Sequence, residues 1–180
     1  MRIGAADDAP HSQVLVGVKV YSRDTACVIA VAGRYLVNVV GQQMTATGVS
    51  LMRRAMTDLT NEYPTFGYLA VVESEAKLLM PPDVREGVQA NVKRFSSRFS
   101  GAAVVFEKTG FQATALRSVV TAVNFASRAT HSTQVFADLR EAISWLSQLT
   151  GGEPTAARLL GITKLLRGNG AAAPSGMTPP

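Results

Sequence analysis

The order of strand-like and helix-like segments is the strongest constraint on the fold of this chain. Three short runs rich in β-branched and aromatic residues come first, within residues 13–43. The second and third runs flank Gly33, which suits the tight turn of an antiparallel hairpin. Apolar residues at spacings of three and four then predict an amphipathic helix over residues 43–62. The chain therefore opens with a small β-meander that leads into a helix.

Helices and strands alternate in the rest of the sequence. A nearly continuous apolar run over residues 66–72 predicts a strand that is buried on both faces. An apolar stripe from Val84 to Phe99 predicts a second helix. Further segments are predicted as a strand at 102–106, a helix at 111–129, a strand at 133–136 and a helix that Asp138 caps and that buries Leu139, Ala142, Ile143, Leu146 and Leu149. We therefore expect an α/β fold, with a mixed sheet of four to six strands that opens with a β-meander and is parallel in its later part.

The chain divides into four segments by composition. We predict a flexible N-terminus at residues 1–12 and one α/β domain at 13–150, which the double glycine at 151 and 152 closes. An accessory amphipathic helix follows at 151–167. The last segment, residues 168–180, consists of small residues, glycine and proline with almost no large apolar side chain, so we predict a disordered tail.

Composition limits the cellular setting. The sequence has one cysteine, Cys27, which excludes an intramolecular disulfide framework, and its Val- and Ile-rich surroundings suit a buried thiol. Two aspartates and a proline interrupt the first ten residues, so we expect no secretory signal, and no apolar run is long enough to span a membrane. We predict a cytoplasmic protein.

No motif in the sequence indicates catalysis. The two histidines, His11 and His131, lack the spacing of a metal site, and the glycine-rich nucleotide-binding motifs are missing. Glu73 and Glu75 follow a predicted central strand, where α/β sheets bind ligands, but the sequence shows no group that pairs with them. We predict no catalytic, cofactor-binding or metal-ligating residue and no enzymatic activity.

Positive charge gives the first candidate contact surface. The 18 Lys and Arg residues exceed the 13 Asp and Glu residues, for a net charge of +5, and several of them lie on or near the second predicted helix. The candidate partner-binding residues there are Asp83, Arg85, Lys93, Arg94 and Arg98. Such a run is often only the solvated face of a helix, and the functional alternative is contact with an acidic protein. Nucleic acid is disfavoured, because Phe95 and Phe99 fall on the apolar stripe and cannot stack on bases.

The last predicted helix gives the second candidate contact surface. Its candidate residues are Arg158, Leu159, Ile162, Lys164, Leu166 and Arg167. Three interpretations stay open: the helix packs on its own sheet, it docks on a partner protein, or residues 154–167 lie on a membrane surface without crossing it.

Two segments and the order of elements resemble a known family. They are residues 63–72, YPTFGYLAVV, and residues 135–146, VFADLREAISWL. Over residues 20–150 the chain resembles the STAS-like superfamily, in particular its SpoIIAA-like branch. The resemblance implies a bacterial, non-enzymatic regulatory or scaffolding module that binds another protein or a second copy of itself.

The resemblance also implies one departure from the family and one alternative function. Phospho-switches of this family carry an Asp-Ser pair at the start of the second helix, whereas residues 79–83 contain no hydroxyl group. We therefore expect no phosphorylation switch there, and Ser74, the nearest serine, lies between two glutamates that oppose an added phosphate. The alternative is a carrier of a small ligand or a lipid headgroup, which would use the apolar space beneath the second helix.

Overall fold

A six-stranded mixed sheet forms the centre of the molecule. The computed structural model describes residues 16–77, 79–107, 114, 117–118, 120–121 and 131–169. The strands, which lie side by side in chain order, are β1 (Val18–Arg23), β2 (Cys27–Ala32), β3 (Tyr35–Val40), β4 (Phe66–Val72), β5 (Phe99–Val105) and β6 (Thr133–Phe136). Strands β1 to β3 pair antiparallel, and β3 to β6 pair parallel. The predicted α/β class, the opening meander and the parallel later part are confirmed.

Helices cover both faces of this sheet. They are α1 (Ala46–Glu62), α2 (Pro82–Phe95), α3 (Leu139–Thr150) and α4 (Ala156–Asn169), and a 3-10 turn follows α2 at Ser96–Arg98. The hydroxyl of Thr45 accepts a hydrogen bond from the backbone N–H of Gly48 at 3.0 Å and caps α1. The carboxylate of Asp138 accepts one from the N–H of Glu141 at 2.8 Å, so the predicted cap of α3 is confirmed.

The buried apolar residues form three clusters, and the two larger ones lie on opposite faces of the sheet because side chains alternate along the strands. On β3, Leu36 packs with α1 and α2 on one face, while Val37 and Val39 pack with α3 and α4 on the other. Residues of β4 and β5 are buried on both faces, as the continuous apolar run of β4 predicted. The α1 and α2 layer is the one that encloses the candidate site.

Four boundaries differ from the predictions, and the first is that α1 begins at Ala46 and not at residue 43. The first strand-like run was placed near the start of residues 13–43, but Val16 and Gly17 form a turn with Gly17 at φ 78°, and β1 starts at Val18. Phe99 does not continue the helical stripe, because α2 ends at Phe95; instead Phe99 opens β5 and packs edge-on against Phe66, with ring centroids 4.9 Å apart. Strand β5 therefore begins three residues earlier than expected.

The buried face of α3 also differs at one position. Leu149 was expected in the core, yet 44% of it is exposed, and Thr150 is buried in its place. Thr150 lies four residues after the buried Leu146 and so falls on the same helical face. Its hydroxyl lies 3.0 Å from that of Ser100, and it packs against Gly67, where an added Cβ would come within 2.5 Å of the hydroxyl oxygen. The buried face of α3 therefore ends at Thr150 and does not include Leu149.

Helix α4 packs on its own sheet, which decides among the three interpretations left open above. Leu159, Ile162 and Leu166 are at most 1% exposed and belong to the same core as α3. The helix also runs two residues further than expected, to Asn169, so the predicted tail does not begin at Gly168. Although it follows the double glycine, α4 packs beside α3 on the same face of the sheet.

Some predictions lie outside the described residues. They are the flexible segment at 1–12, most of the helix at 111–129 and the tail from 170 onward. The few described residues of the predicted helix, including Ser118 and Val120, are helical. No helix in the described part of the chain is long and apolar enough to cross a membrane.

Candidate functional site

An apolar cavity lies between helix α2 and the sheet. Its floor comes from β4 and β5, where Ala70 and Ala102 carry only methyl side chains and leave room above the sheet. Val88 and Val92 of α2 line the opposite side. The cavity volume is about 130 Å³. Small residues in the strands and branched residues in the helix therefore create a space that the chain's own described side chains do not fill.

Close contact with α1 fixes the position of α2 over the cavity. Gly87 approaches α1 so closely that an added Cβ would lie 2.8 Å from Cγ1 of Val49. Beside it the buried amide of Asn91 donates to the carbonyl of Val49 at 3.0 Å and accepts from Nε of Arg53 at 3.0 Å. These contacts hold α2 at the α1 side, so Val88 and Val92 stay above the strands.

A polar group enters the cavity from strand β3. Asn38 is 1% exposed, although its neighbours on the strand are apolar. Its side-chain N–H donates to the hydroxyl of Tyr68 at 3.2 Å, and that hydroxyl donates in turn to the sulfur of Met52 at 3.8 Å. Burial raises the pKa of Tyr68, so the hydroxyl keeps its proton at neutral pH. The second atom of the amide, Oδ1 of Asn38, has no hydrogen-bond partner in the described structure.

His131 and Thr133 bring further polar groups to the edge of the same cavity. The His131 ring packs against Phe99, with centroids 4.5 Å apart, and its Nδ1 lies 3.5 Å from the hydroxyl of Ser96. Burial lowers the pKa of His131, so the ring is neutral at pH 7. The buried hydroxyl oxygen of Thr133, on β6, has no hydrogen-bond partner in the described structure.

Unpartnered buried polar atoms are concentrated at this cavity. In the part of the chain that the structure describes, four buried side-chain atoms lack a hydrogen-bond partner, and two of them belong to Asn38 and Thr133, which line the cavity. Buried polar atoms are normally paired, so such atoms call for an explanation, and a bound water, ion or small molecule is one such explanation. The cavity therefore offers an apolar body with hydrogen-bonding capacity at two places.

The sequence did not single out Asn38, Tyr68 or Thr133. One signal was present: Asn38 is the only polar residue in the run Tyr35–Val40, which was predicted to be a strand. A buried amide in an apolar strand is costly and therefore informative. The cavity itself depends on how α2 crosses the strands, and no local pattern encodes that geometry.

The predicted basic surface of α2 is only partly present. Asp83, Arg85, Lys93 and Arg94 are exposed, and Lys93 and Arg94 lie in the last turn, where positive charge complements the helix dipole. Arg98 lies outside the helix, in the 3-10 turn. Its guanidinium donates to the carbonyls of Thr60 and Tyr63 at 2.9 and 3.4 Å and so satisfies the end of α1.

The predicted surface on α4 is mostly committed to the fold. Leu159, Ile162 and Leu166 are buried in the chain's own core, so they cannot contact a partner while the helix is docked. Arg158 donates to the backbone carbonyl of Val16 at 2.7 Å. Lys164 is exposed. Binding of another protein through these apolar residues stays a prediction, and it would require α4 to leave the chain's own core.

Arg167, the last predicted residue, is held by two carboxylates. Its guanidinium donates two hydrogen bonds to Glu73, at 2.6 and 2.9 Å, and two to Glu107, both at 3.0 Å. The guanidinium lowers the pKa of Glu107, and the two carboxylates raise the pKa of Arg167. Glu73, for which the sequence showed no pairing group, therefore has a structural partner, and this ion pair fastens α4 to the ends of β4 and β5.

The remaining acidic and metal-binding chemistry is sparse. Glu75 is exposed and accepts a hydrogen bond from Ser74 at 3.1 Å. Among the described residues, no group of three His, Cys, Asp or Glu side chains could hold a metal ion.

In comparisons with known proteins, no protein-family model matches the chain and no curated protein matches it.

Proposed function

We propose that this chain is a non-enzymatic binding module of STAS-like type that accepts a small, largely apolar molecule in the cavity beneath α2. One observation carries the proposal: Asn38, which lines the apolar cavity, has a buried side-chain oxygen without a hydrogen-bond partner in the described structure, and Thr133, at another point of the lining, has a second. The resemblance in residues 63–72 and 135–146 supports the STAS-like assignment.

The size of the cavity limits the ligand. A dry, apolar cavity of about 150 Å³ engineered into another protein binds benzene. The cavity beneath α2 measures about 130 Å³, so it suits a molecule of about one ring. Two of the ionisable groups that line it, Tyr68 and His131, are neutral at pH 7 because burial disfavours their charged forms. Shape and neutral hydrogen bonds would therefore determine which molecules bind.

Filling the cavity tests the proposal. The Ala70→Leu variant adds three carbon atoms to the floor, while Ala90→Leu, on the exposed side of α2, adds the same atoms outside it. We expect benzene, toluene and indole to raise the melting temperature of the wild-type protein and of Ala90→Leu, and to leave that of Ala70→Leu unchanged. Saturation-transfer NMR on the same samples reports binding directly.

Two results would contradict the proposal. If none of the three probes binds the wild-type protein, the cavity does not accept ligands. If the probes stabilise Ala70→Leu as much as Ala90→Leu, they bind elsewhere on the molecule. A Leu side chain at position 70 that fits the empty space is expected to leave stability unchanged or to raise it, so loss of binding would not follow from unfolding.

The exposed basic residues of α2 support a second candidate function, the binding of an acidic protein. Arg85, Lys93 and Arg94 are exposed and make no ion pair with any described residue. A protein that co-purifies with the wild-type chain, is lost when these three residues become Glu and is retained by Lys164→Glu would support this function. Equal retention by all three proteins would contradict it.

A further inference from the structure

We propose that the occupant of the cavity beneath α2 is a neutral molecule of about one ring that presents an N–H or O–H donor to Oδ1 of Asn38. The inference rests on the proposed function, because it specifies the chemistry of the same ligand. It adds a recognition residue and a donor requirement that size and apolarity alone do not impose.

The position of Asn38 makes a water-exposed role impossible in the folded chain. Strand β3 lies inside the sheet, and Asn38 pairs across it with Ile29 of β2 and Ala70 of β4. Only 1% of Asn38 is exposed. An amide at such a place loses its hydrogen bonds to bulk water, so the structure must supply partners or accept a loss of stability.

The neighbours of Asn38 determine which partner is missing. Its N–H donates to the oxygen of Tyr68, and the Tyr68 hydroxyl sends its own hydrogen toward the sulfur of Met52. One N–H of the amide is therefore used, and the side-chain atom that is left without any partner is the acceptor oxygen Oδ1. Asn38 lines the apolar cavity, and an acceptor oxygen such as its Oδ1 is complemented by a ligand hydroxyl or N–H, and not by a carbonyl, ether or carboxylate oxygen.

The charges around the cavity favour a neutral ligand. Among its described lining residues only Lys77 carries a charge at pH 7, and it is exposed at the rim. A charged ligand placed beside Asn38 would lose its hydration without gaining a buried counter-charge. A phenol, a pyrrole or a cyclic alcohol meets all three conditions of size, charge and donor group.

Thr133 is too far away to share a one-ring ligand with Asn38. The two residues lie on β6 and β3, with β4 and β5 between them. Three strand spacings amount to about 14 Å, which exceeds the length of a single ring with one substituent. The Thr133 hydroxyl can also rotate to suit either a donor or an acceptor, whereas the Asn38 amide is held by Tyr68. Thr133 therefore serves as an internal control.

Four probes of similar size test the donor requirement on the full chain. They are benzene, phenol, anisole and benzoate, measured by calorimetry and by NMR shift perturbation. We expect phenol to bind about tenfold more tightly than benzene, because one hydrogen bond to Asn38 outweighs the hydration that its hydroxyl loses. Anisole and benzoate, which offer only acceptor atoms or a charge, are expected to bind no better than benzene.

Two variants assign the effect to Asn38. In Asn38→Leu, which keeps a side chain of similar size, we expect the order to reverse, because phenol would bury an unpaired hydroxyl while benzene would not. In Thr133→Val, which removes the other unpartnered hydroxyl, phenol is expected to keep its advantage. The comparison between probes on each protein remains valid even where a variant is less stable.

The outcomes separate this inference from the proposed function. If benzene and phenol bind the wild-type protein equally, or if anisole or benzoate binds best, the donor requirement is wrong while the cavity remains a binding site. Retention of the phenol preference in Asn38→Leu would also overturn it. If none of the four probes binds, the proposed function fails together with the inference.

Discussion

The guanidinium of Arg167 and the carboxylate of Glu73 form two hydrogen bonds, of 2.6 and 2.9 Å, across 94 residues of sequence. Both partners are mostly buried, with side-chain exposures of 24% and 28%. Paired bonds of this kind fix the orientation as well as the distance of the two groups. The ion pair therefore sets where the end of α4 meets the end of β4.

Replacement of Arg167 by Met should lower the free energy of unfolding by about 1 kcal/mol, because two carboxylates lose their partner in a partly solvated place. Chemical denaturation measures the change. Lys164→Met removes an exposed cation from the same helix and should change stability by less than about 0.5 kcal/mol. Equal effects of the two substitutions would contradict the structural role of Arg167.

The contribution of Arg167 should depend on pH. Its guanidinium lowers the pKa of Glu107 below the ordinary value of 4.5. A carboxylate with a lowered pKa stabilises the fold above its unfolded pKa, and this stabilisation is lost as the pH falls through the folded value. The difference in melting temperature between wild type and Arg167→Met should therefore shrink below about pH 4.5. A difference that stays constant from pH 7 to pH 3 would be inconsistent with this linkage.

Leu159→Ala should destabilise the protein by about 3 kcal/mol, since the side chain is fully buried in the core that α3 and α4 share. Urea denaturation followed by circular dichroism provides the measurement. Arg158→Ala, at the adjacent exposed position, is the control and should cost no more than about 1 kcal/mol. An effect of Leu159→Ala as small as that of the control would mean that α4 is undocked in solution.

Acid should weaken the fold through His131. Burial lowers the pKa of His131 below its ordinary value of 6.5, so the unfolded chain binds a proton more readily than the folded one. Stability from this residue is therefore complete above pH 6.5 and decreases as the pH falls from 6.5 to the folded value. In His131→Gln the melting temperature should vary less over this window. An unchanged pH profile in the variant would show that His131 is not responsible.

The thiol of Cys27 should be inert in the native protein. It is 1% exposed, and burial raises its pKa to about 11, so little thiolate exists at pH 8. We expect reaction with a disulfide reagent such as DTNB to be at least about a hundredfold slower in buffer than in denaturant. Fast labelling of the native protein would mean that β2 or α1 opens readily.

Sequence patterns located most of the fold because they act locally. Short runs of apolar and β-branched residues are enough to predict β3, β4 and β6. The side chain of Asp138 is enough to predict the start of α3, because a carboxylate at that position caps the helix. The errors arose where a contact with a residue distant in sequence determines the local structure. Phe99 packs on Phe66 in the sheet, and Thr150 rather than Leu149 faces Gly67. The helical periodicity that includes Phe99 extends beyond the end of α2 at Phe95. The periodicity that includes Leu149 misses that Thr150 is the buried residue in the last turn of α3.

The candidate site was less accessible to sequence reasoning. Apolar space beneath the second helix was anticipated, but its polar groups were not, because Asn38 and Thr133 become neighbours of one cavity only through the order of the strands. The basic residues of α2 were located correctly as exposed side chains. Arg98 and Arg167 were assigned to partner contact because their partners within the fold are distant in sequence. Arg98 donates to the carbonyls of Thr60 and Tyr63. Arg167 donates to the carboxylates of Glu73 and Glu107.

The docking of α4 has a consequence for the chain while it is being synthesised. Val28, Val37 and Val39 form part of the sheet face that Leu159 and Ile162 cover in the finished fold. Until the ribosome has released the residues of α4, that apolar face has no cover and can attract chaperones or another nascent chain. A polypeptide cut or stalled shortly after α3 would expose it permanently, so cells would recognise such a fragment as misfolded and degrade it.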